Sequence, residues 1–520
     1  MQSTTFGDQD HQQLTERGIA VEEAQRQLKV LRSPPPAADL DRPCTVGDGI
    51  ERLGESQAQA RIGRFESAAA AGRVTKMVPA SGAASRMFRS LLPYLEEPQK
   101  ARREELQAQA EAGDDGAQDV LRLADEIDRF AFRDELAEAL ERQGSSLDQI
   151  RDSGDYGPLL AALLGPKGLA LASLPKGLIP FHSYPDGART PFGEHLVEAM
   201  AYARDDQDRC RLHFTVTPAH RQRVTQHLDQ TASQLGDARF LVSYSEQSPA
   251  TDTLSLDEHG EPFRLDDGTL LLRPGGHGSL LLNLEELRGD VVLVKNIDNV
   301  QPERLLPTVA RWKKLLGGFL LELEEEIHGL LRRLHGDSGK DDAENGAAVD
   351  QALELIARRF DSRASEIPRE RRRTYAMDRL NRPLRICGMV VNRGEPGGGP
   401  FWVKDGSGAC SPQIVESAQI SHRQRSLLRG ATHFNPVDLV CSLKDWRGEP
   451  FPLRHFVDPD TAFVTSKSYA GRPLTGLEHP GLWNGAMAGW NTVFVEVPAE
   501  TFSPVKTVFD LLRAEHQPAP

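Results

Sequence analysis

Residues Leu270 to Val300 read LLLRPGGHGSLLLNLEELRGDVVLVKNIDNV. The run is strand, glycine turn, helix, strand and acidic turn. Arg273-Pro274-Gly275-Gly276-His277-Gly278 breaks an apolar stretch with three glycines in four positions. Ser279 to Leu287 has a short leucine-rich helical pattern. Asp290 to Lys295 is a β-branched run of the fully buried type, and it ends at Asn296-Ile297-Asp298-Asn299. In an open α/β sheet, ligands bind outside the carboxyl ends of the strands, where both special turns fall. Glycines there let a flat ligand approach the backbone, and an aspartate can hold a hard cation. On the residues alone, an ordinary strand-to-helix turn and an ordinary strand exit explain the pattern equally.

Working outward, 520 residues carry a formal net charge of −14. That length supports one large core and one or two smaller ones. The acidic balance argues against nonspecific nucleic-acid binding, which needs a basic face. It leaves room for a phosphorylated substrate in a local basic pocket. The five cysteines (Cys44, Cys210, Cys387, Cys410 and Cys441) are scattered and lack CxxC spacing. They imply a reducing compartment and no zinc site. The first residues, MQSTTFGDQDHQQL, lack the apolar core of a signal peptide. No window approaches ~18 apolar residues, so no membrane span is expected. A cytoplasmic location follows as an expectation; oligomeric state is not legible.

Along the chain, residues 1–70 read as a helical cap. It has an amphipathic helix over Thr15 to Leu31, a loop over Thr45 to Ile50 and a helix over Gln57 to Ala71. Residues 71–310 read as an α/β core with a helical insertion at 96–165. Its first strand, Arg73 to Val78, meets the small-residue loop Pro79 to Arg86 and then a helix over Met87 to Leu95. That order can offer backbone N–H groups and a helix N-terminus to phosphate. Lys176 sits in the apolar entry Leu174 to Phe181, either on the surface or fixed in a site. Strands at Arg211 to Val216 and Arg239 to Tyr244 alternate with helices, which implies parallel neighbours and crossover helices. Ser245-Glu246-Gln247 ends the last of these strands. Gln301 to Leu334 is a long helical run that leads into a second helical insertion over residues 311–380, and the polar stretch His335 to Ala347 reads as a flexible loop. Residues 381–520 complete the core. They contain the loop Asn392 to Trp402, with Glu395 and three consecutive glycines, and a final helix opened by Pro504.

Five ordered strings resemble the UDP-sugar pyrophosphorylases and UTP–glucose-1-phosphate uridylyltransferases. Ala80-Ser81-Gly82-Ala83-Ala84-Ser85-Arg86 resembles the GGxGTR loop, with Ser81 and Ala84 where that pattern has glycine. Pro175 to Pro180 is similar to PKxLxP, and Gly275 to Gly278 to PPGHGD, with Ser279 in place of its aspartate. Asn296 to Asn299 resembles NxDN, and Phe502 to Leu512 FLPVKTxxDLL. Trp490-Asn491-Thr492 loosely resembles NTN. The strings PASGAASRMF, GEPGGGPFWV and GLWNGAMAGWNT also resemble a bacterial family catalogued only as a domain of unknown function.

The pyrophosphorylase resemblance implies a Rossmann-like, GT-A-type α/β fold with a mixed central sheet and helical insertions. It implies transfer of a nucleotidyl group to a sugar 1-phosphate, with release of pyrophosphate. The expected partners are a nucleoside triphosphate and a sugar phosphate, with no nucleic acid and no membrane. Neutralising and aligning two anions needs a bridging cation and basic side chains more than covalent chemistry. The resemblance assigns Arg86, Lys176 and Lys506 to catalysis, and Asp298 to Mg2+ (or Mn2+). Ser81, Gly82, Ala83, Ser85, Gln247, Gly275, Gly276, His277 and Gly278 would hold the nucleotide. Asn296, Glu395, Gly398 and Asn491 would face the sugar. A nucleotide-binding protein without turnover and a glycosyltransferase using a nucleotide sugar remain open on the same fold.

Overall fold

The computed structural model describes residues 6–336, 342–394 and 397–518. Packing divides the chain into two compact units. The first is Met1–Met77, Ser245–Val294 and Lys313–Pro498; the second is Val78–Tyr244, Lys295–Trp312 and Ala499–Pro520.

The first unit is built on a mixed sheet. Its strands run in the order Thr45–Val46, Gly49–Glu51, Asn491–Glu496, Leu384–Val391, His433–Ser442, Val291–Val294 and Val74–Pro79. His433–Ser442 is antiparallel to both of its neighbours. The remaining adjacent pairs are parallel. Val291 to Val294 are all buried, as a central strand covered on both faces requires. Trp490, Phe494, Leu439, Cys441 and Leu482 belong to the core that packs against them. A three-stranded sheet (Leu40–Pro43, Gly399–Lys404, Cys410–Val415) and the antiparallel pair Phe463–Tyr469 and Arg472–Glu478 complete the strands of note.

Several local expectations change. The helix drawn over Thr15 to Leu31 is two helices, Asp8–Arg17 and Val21–Arg32. Gly18 separates them at φ 72°, left-handed backbone that glycine adopts without penalty. The loop over Thr45 to Ile50 is two short strands at the edge of the main sheet. Phe401 and Trp402 lie not in a loop but in a buried strand. The long helix runs from Leu306 to Gly336. Of the polar stretch 335–347, residues 337–341 lie outside those described, and the helix Asp342–Arg359 begins within it.

In the second unit, the insertion after the phosphate-type loop is helical as expected, with helices at Arg103–Glu111, Asp115–Asp125, Arg133–Arg142, Leu147–Ser153 and Gly157–Leu164. The strands Arg209–Thr215 and Arg239–Ser245 are neighbours. Helix Pro191–Tyr202 starts on a Thr190 cap, whose hydroxyl accepts from Gly193 N–H. This helix is buried nearly all round, and Glu194, His195 and Glu198 are buried with it. The helix expected over Met87 to Leu95 is a 3-10 turn at Ala84–Arg86, further turns and a short helix at Leu92–Glu96. The last helix is likewise only a 3-10 segment, Val508–Leu512. Among the described residues no helix is long and apolar enough to cross a membrane.

Candidate functional site

Four segments of the second unit converge through hydrogen bonds. The loop after Pro79 is anchored at Ala80, whose N–H donates to the Thr215 carbonyl at 3.0 Å. Its far side is tied to the Lys176 turn. Ala84 N–H donates to Leu174 O at 3.0 Å, and Lys176 N–H to Gly82 O at 3.2 Å. The Asp298 turn binds the C-terminal segment through Val505 N–H to Asp298 O at 3.3 Å, beside a bridge between Asn299 and Pro504. Val508 N–H closes the ring on Met87 O at 3.0 Å.

Lys176 is the hub. Its ammonium donates to Asp298 Oδ2 at 2.9 Å and to Val505 O at 2.7 Å. Its side chain is 14 % exposed and that of Asp298 22 %, so Lys176 is a fixed cation and not a surface lysine. Arg86, Gly82, Ala83 and Ser85 are exposed on the loop. Ala84 is fully buried. Its Cβ therefore points into the packing, where it does not obstruct a ligand. Lys506 is exposed. The Asp510 carboxylate accepts from the N–H groups of Lys506 and Thr507, each at 2.7 Å, and shapes that turn. Asn296 is exposed, and its carbonyl closes the Asp298 turn with Asn299 N–H. The helix-dipole part of the phosphate reading does not apply, because only a short turn follows the loop.

Behind this surface lies a buried polar network that the sequence did not reveal. Lys295 and Glu198 are 1 % and 2 % exposed. Lys295 Nζ donates to Glu198 Oε1 at 2.6 Å and to Gln301 Oε1 at 2.9 Å. Gln301 Nε2 donates to Asn299 Oδ1 and to Thr501 O. Asn299 Oδ1 also accepts from Ser503 N–H. Helix Pro191–Tyr202 thus fixes the Asp298 turn and the C-terminal segment together. The same helix supplies Glu194, which accepts from Tyr184 OH and faces His182 Nδ1, each at 2.8 Å. A carboxylate only accepts, so His182 Nδ1 carries the hydrogen, and His182 Nε2 meets His516 Nδ1 at 2.9 Å. Burial, then the His182 ring, bring His516 down to about 3. The available signal was a set of charged residues in otherwise apolar runs: Glu194 and Glu198 in PFGEHLVEAMAY, Lys295 after VVLV.

A divalent cation fits this donor set in one way. Among the described residues, no group of three or more His, Cys, Asp or Glu side chains could cage a metal. Asp298 offers a single carboxylate with Oδ2 already facing a cation. Magnesium commonly takes one or two carboxylates and completes its shell with water and phosphate oxygens. Asp298 suits an ion that arrives with a polyphosphate.

The remaining residues assigned by resemblance belong to the first unit. Gly275 to Gly278 are demanded by the chain itself. A Cβ on Gly275 would meet the His479 ring at 2.4 Å and Thr251 O at 2.5 Å; one on Gly278 would meet Pro480 O at 2.0 Å. Gly276 has φ +81°. The glycines let the chain's own 478–481 segment approach, so the packing of the chain by itself requires them. His277 is exposed, its ring 5.2 Å from that of Trp483. Gln247 is half-buried, and the Ser279 hydroxyl is buried. Two sugar-side assignments are corrected. Gly398 packs against Val415 O, where a Cβ would come to 2.0 Å. Asn491 is fully buried, its amide bonded to Arg379 at 2.5 Å and Leu380 O at 3.2 Å. Neither presents a face to a ligand. Glu395 lies outside the described residues.

The domain of unknown function family DUF4301 matches residues 7–517, and the chain belongs to it. No curated protein matches the chain. Among solved structures, the uridine diphosphate N-acetylglucosamine pyrophosphorylase of Trypanosoma brucei is similar at 13% identity and TM-score 0.47, over 94% of this chain and 74% of that one. The UDP-glucose pyrophosphorylase of Leishmania major is similar at 10% identity and TM-score 0.45, over 99% and 82%.

Proposed function

We propose that this member of the family is a nucleotidyltransferase on a GT-A-type fold. It would join a UTP-like nucleoside triphosphate to a sugar 1-phosphate and release pyrophosphate. The observation that carries the reading is the Lys176–Asp298 pair at 2.9 Å. It draws together four strings, each resembling one pyrophosphorylase motif, from positions as far apart as Ala80 and Val508.

In this reading a phosphate oxygen of the sugar 1-phosphate attacks the α-phosphorus of the triphosphate. The bond from that phosphorus to the bridging oxygen breaks, and pyrophosphate leaves with the electron pair. Arg86 and N–H groups of the 81–86 loop other than that of Ala84 bind the triphosphate. Lys176 turns from Asp298 toward the α-phosphate, where charge builds in the transition state. Lys506 holds the sugar phosphate. Asp298 would hold the magnesium, which supplies charge neutralisation across the phosphates when bound. The buried Lys295 network holds the Asp298 turn in place before substrate arrives, so little reorganisation is left to the reaction.

The test is a matrix of nucleoside triphosphates against sugar 1-phosphates, read by pyrophosphate release with the purified full chain. Release with at least one pair, lost in Lys176→Ala and with chelator, is the expected result. Metal-dependent triphosphate binding without release for any pair would instead make the protein a nucleotide-binding regulator. Absence of both would end the reading.

A further inference from the structure

The first unit contains a cavity of about 990 Å³ that the proposed reaction does not use. Tyr375, Arg379, Arg382, Gln413, Phe456 and Thr461 line it. The volume is at the upper end of what small-molecule sites occupy. The charge arrangement is unusual. Arg379 donates to Asn491 Oδ1 and Phe360 O. Arg382 donates to Asp378 O and Gly489 O, both backbone. Among the described residues no carboxylate hydrogen-bonds either guanidinium, although Arg379 is buried and buried charges are normally paired.

The acids around the cavity give their hydrogen bonds to other groups, although the Asp361 charge still acts on both guanidinium groups. Asp361 accepts from Tyr375 OH at 2.6 Å and from Arg363 N–H at 3.0 Å. Asp405 caps its own turn at Ser407 and Ala409. Glu366 pairs with Arg363, and Lys404 pairs with Asp41. Asp378 is exposed; it hydrogen-bonds Arg382 through its backbone carbonyl and acts on it through its charge. Burial, and then the Arg382 charge, lower Arg379 to about 10; burial also lowers Arg382. Two like charges therefore sit close together on a cavity wall. An incoming anion would relieve both their desolvation and their mutual repulsion.

Beside these charged groups, and Asp458, the lining carries neutral hydrogen-bonding side chains. Gln413, which lines the cavity, spends its amide N–H on Ser411 Oγ and Ala488 O and keeps its carbonyl oxygen as an acceptor. Tyr375 and Thr461 add hydroxyls, and Phe456 adds an apolar face. We propose that this cavity is a second ligand site that binds a phosphorylated polyol of sugar-phosphate size, with its phosphate on Arg382 and Arg379 and its hydroxyls on Gln413, Thr461 and Tyr375. The site stands on its own lining and does not depend on the reaction assigned to the second unit.

Isothermal titration of the full chain with glucose 6-phosphate, inorganic phosphate and glucose tests it. Glucose 6-phosphate should bind best, phosphate more weakly and glucose weakest. Arg382→Gln should weaken glucose 6-phosphate by about tenfold or more, the usual scale for a hydrogen bond to a charged group. Ala488→Trp, which fills the cavity from its wall, should abolish binding, and Lys506→Ala should leave it unchanged. Melting curves check that each variant folds; if Ala488→Trp does not, Arg382→Gln alone decides. Equal affinity in Arg382→Gln and wild type, glucose binding as tightly as its phosphate, or no binding of either phosphate-bearing probe would overturn the proposal.

Discussion

Lys295→Met keeps the side chain's length and removes its charge. The Glu198 carboxylate, 2 % exposed, would then keep the Tyr202 hydroxyl at 3.2 Å and the His195 ring at 3.9 Å as its near partners. Removing one member of a fully buried ion pair costs about 3–5 kcal/mol, because the other charge stays desolvated. Those two partners put the expected cost near the lower end. At about 2–4 °C per kcal/mol for a unit of this size, a cost of about 3 kcal/mol should lower melting by about 6–12 °C. Replacing both residues, Lys295→Met with Glu198→Met, removes both desolvation penalties and should recover most of the loss. The coupling between the two sites should reach at least about 2 kcal/mol in a double-mutant cycle followed by calorimetry. Gln301 Oε1 also loses its hydrogen bond from Lys295 in the single variant, so the Asp298 turn should loosen and metal-dependent triphosphate binding should weaken. A Lys295→Met protein within about 1 kcal/mol of wild type, or simply additive single variants, would refute the claim that this pair anchors the site.

Asp298→Asn should abolish metal-dependent triphosphate binding while costing no more than about 1 kcal/mol in stability, since its pair with Lys176 is partly solvated; retained binding in calorimetry, or indifference to chelator, would remove Asp298 from the metal role. Gly278→Ala, which drives a Cβ to within 2.0 Å of Pro480 O, should destabilise by about 1–3 kcal/mol. Gly82→Ala meets nothing within 4 Å and should melt with wild type, so equal melting of both variants would contradict the packing described for the glycine turn. His516 sits near 3 in the fold against an ordinary value of about 6.5, so the unfolded chain binds the extra proton between those limits. Its contribution is complete above about pH 6.5 and is lost as pH falls from there toward 3. Denaturation midpoints at pH 7 and pH 5 should therefore differ more in wild type than in His516→Gln, and equal differences would contradict a neutral, buried His516.

Local order was legible wherever one face or both faces of an element are buried, because burial writes itself into periodicity. The run Val291 to Val294, the strand Leu384 to Val391 and the helices of residues 96–165 are of this kind. So were the order and residue types of the loop at 80–86, Lys176, Asp298 and the segment at 502–512. Periodicity says nothing about partners far away along the chain. Lys176 finds Asp298 across 122 residues and Val505 across 329, so only packing decided that it is a fixed cation. Lys295 and Glu198 were hidden because a buried charge in an apolar run looks like any exposed one until its partner is known. The glycines at 275–278 and Gly398 were legible as places of close approach, but not as to what approaches. Tertiary structure supplied Thr251, His479, Pro480 and Val415 as the answer. A sequence records which atoms a residue carries and how often apolar ones recur; which surfaces meet is settled when the whole chain excludes water together.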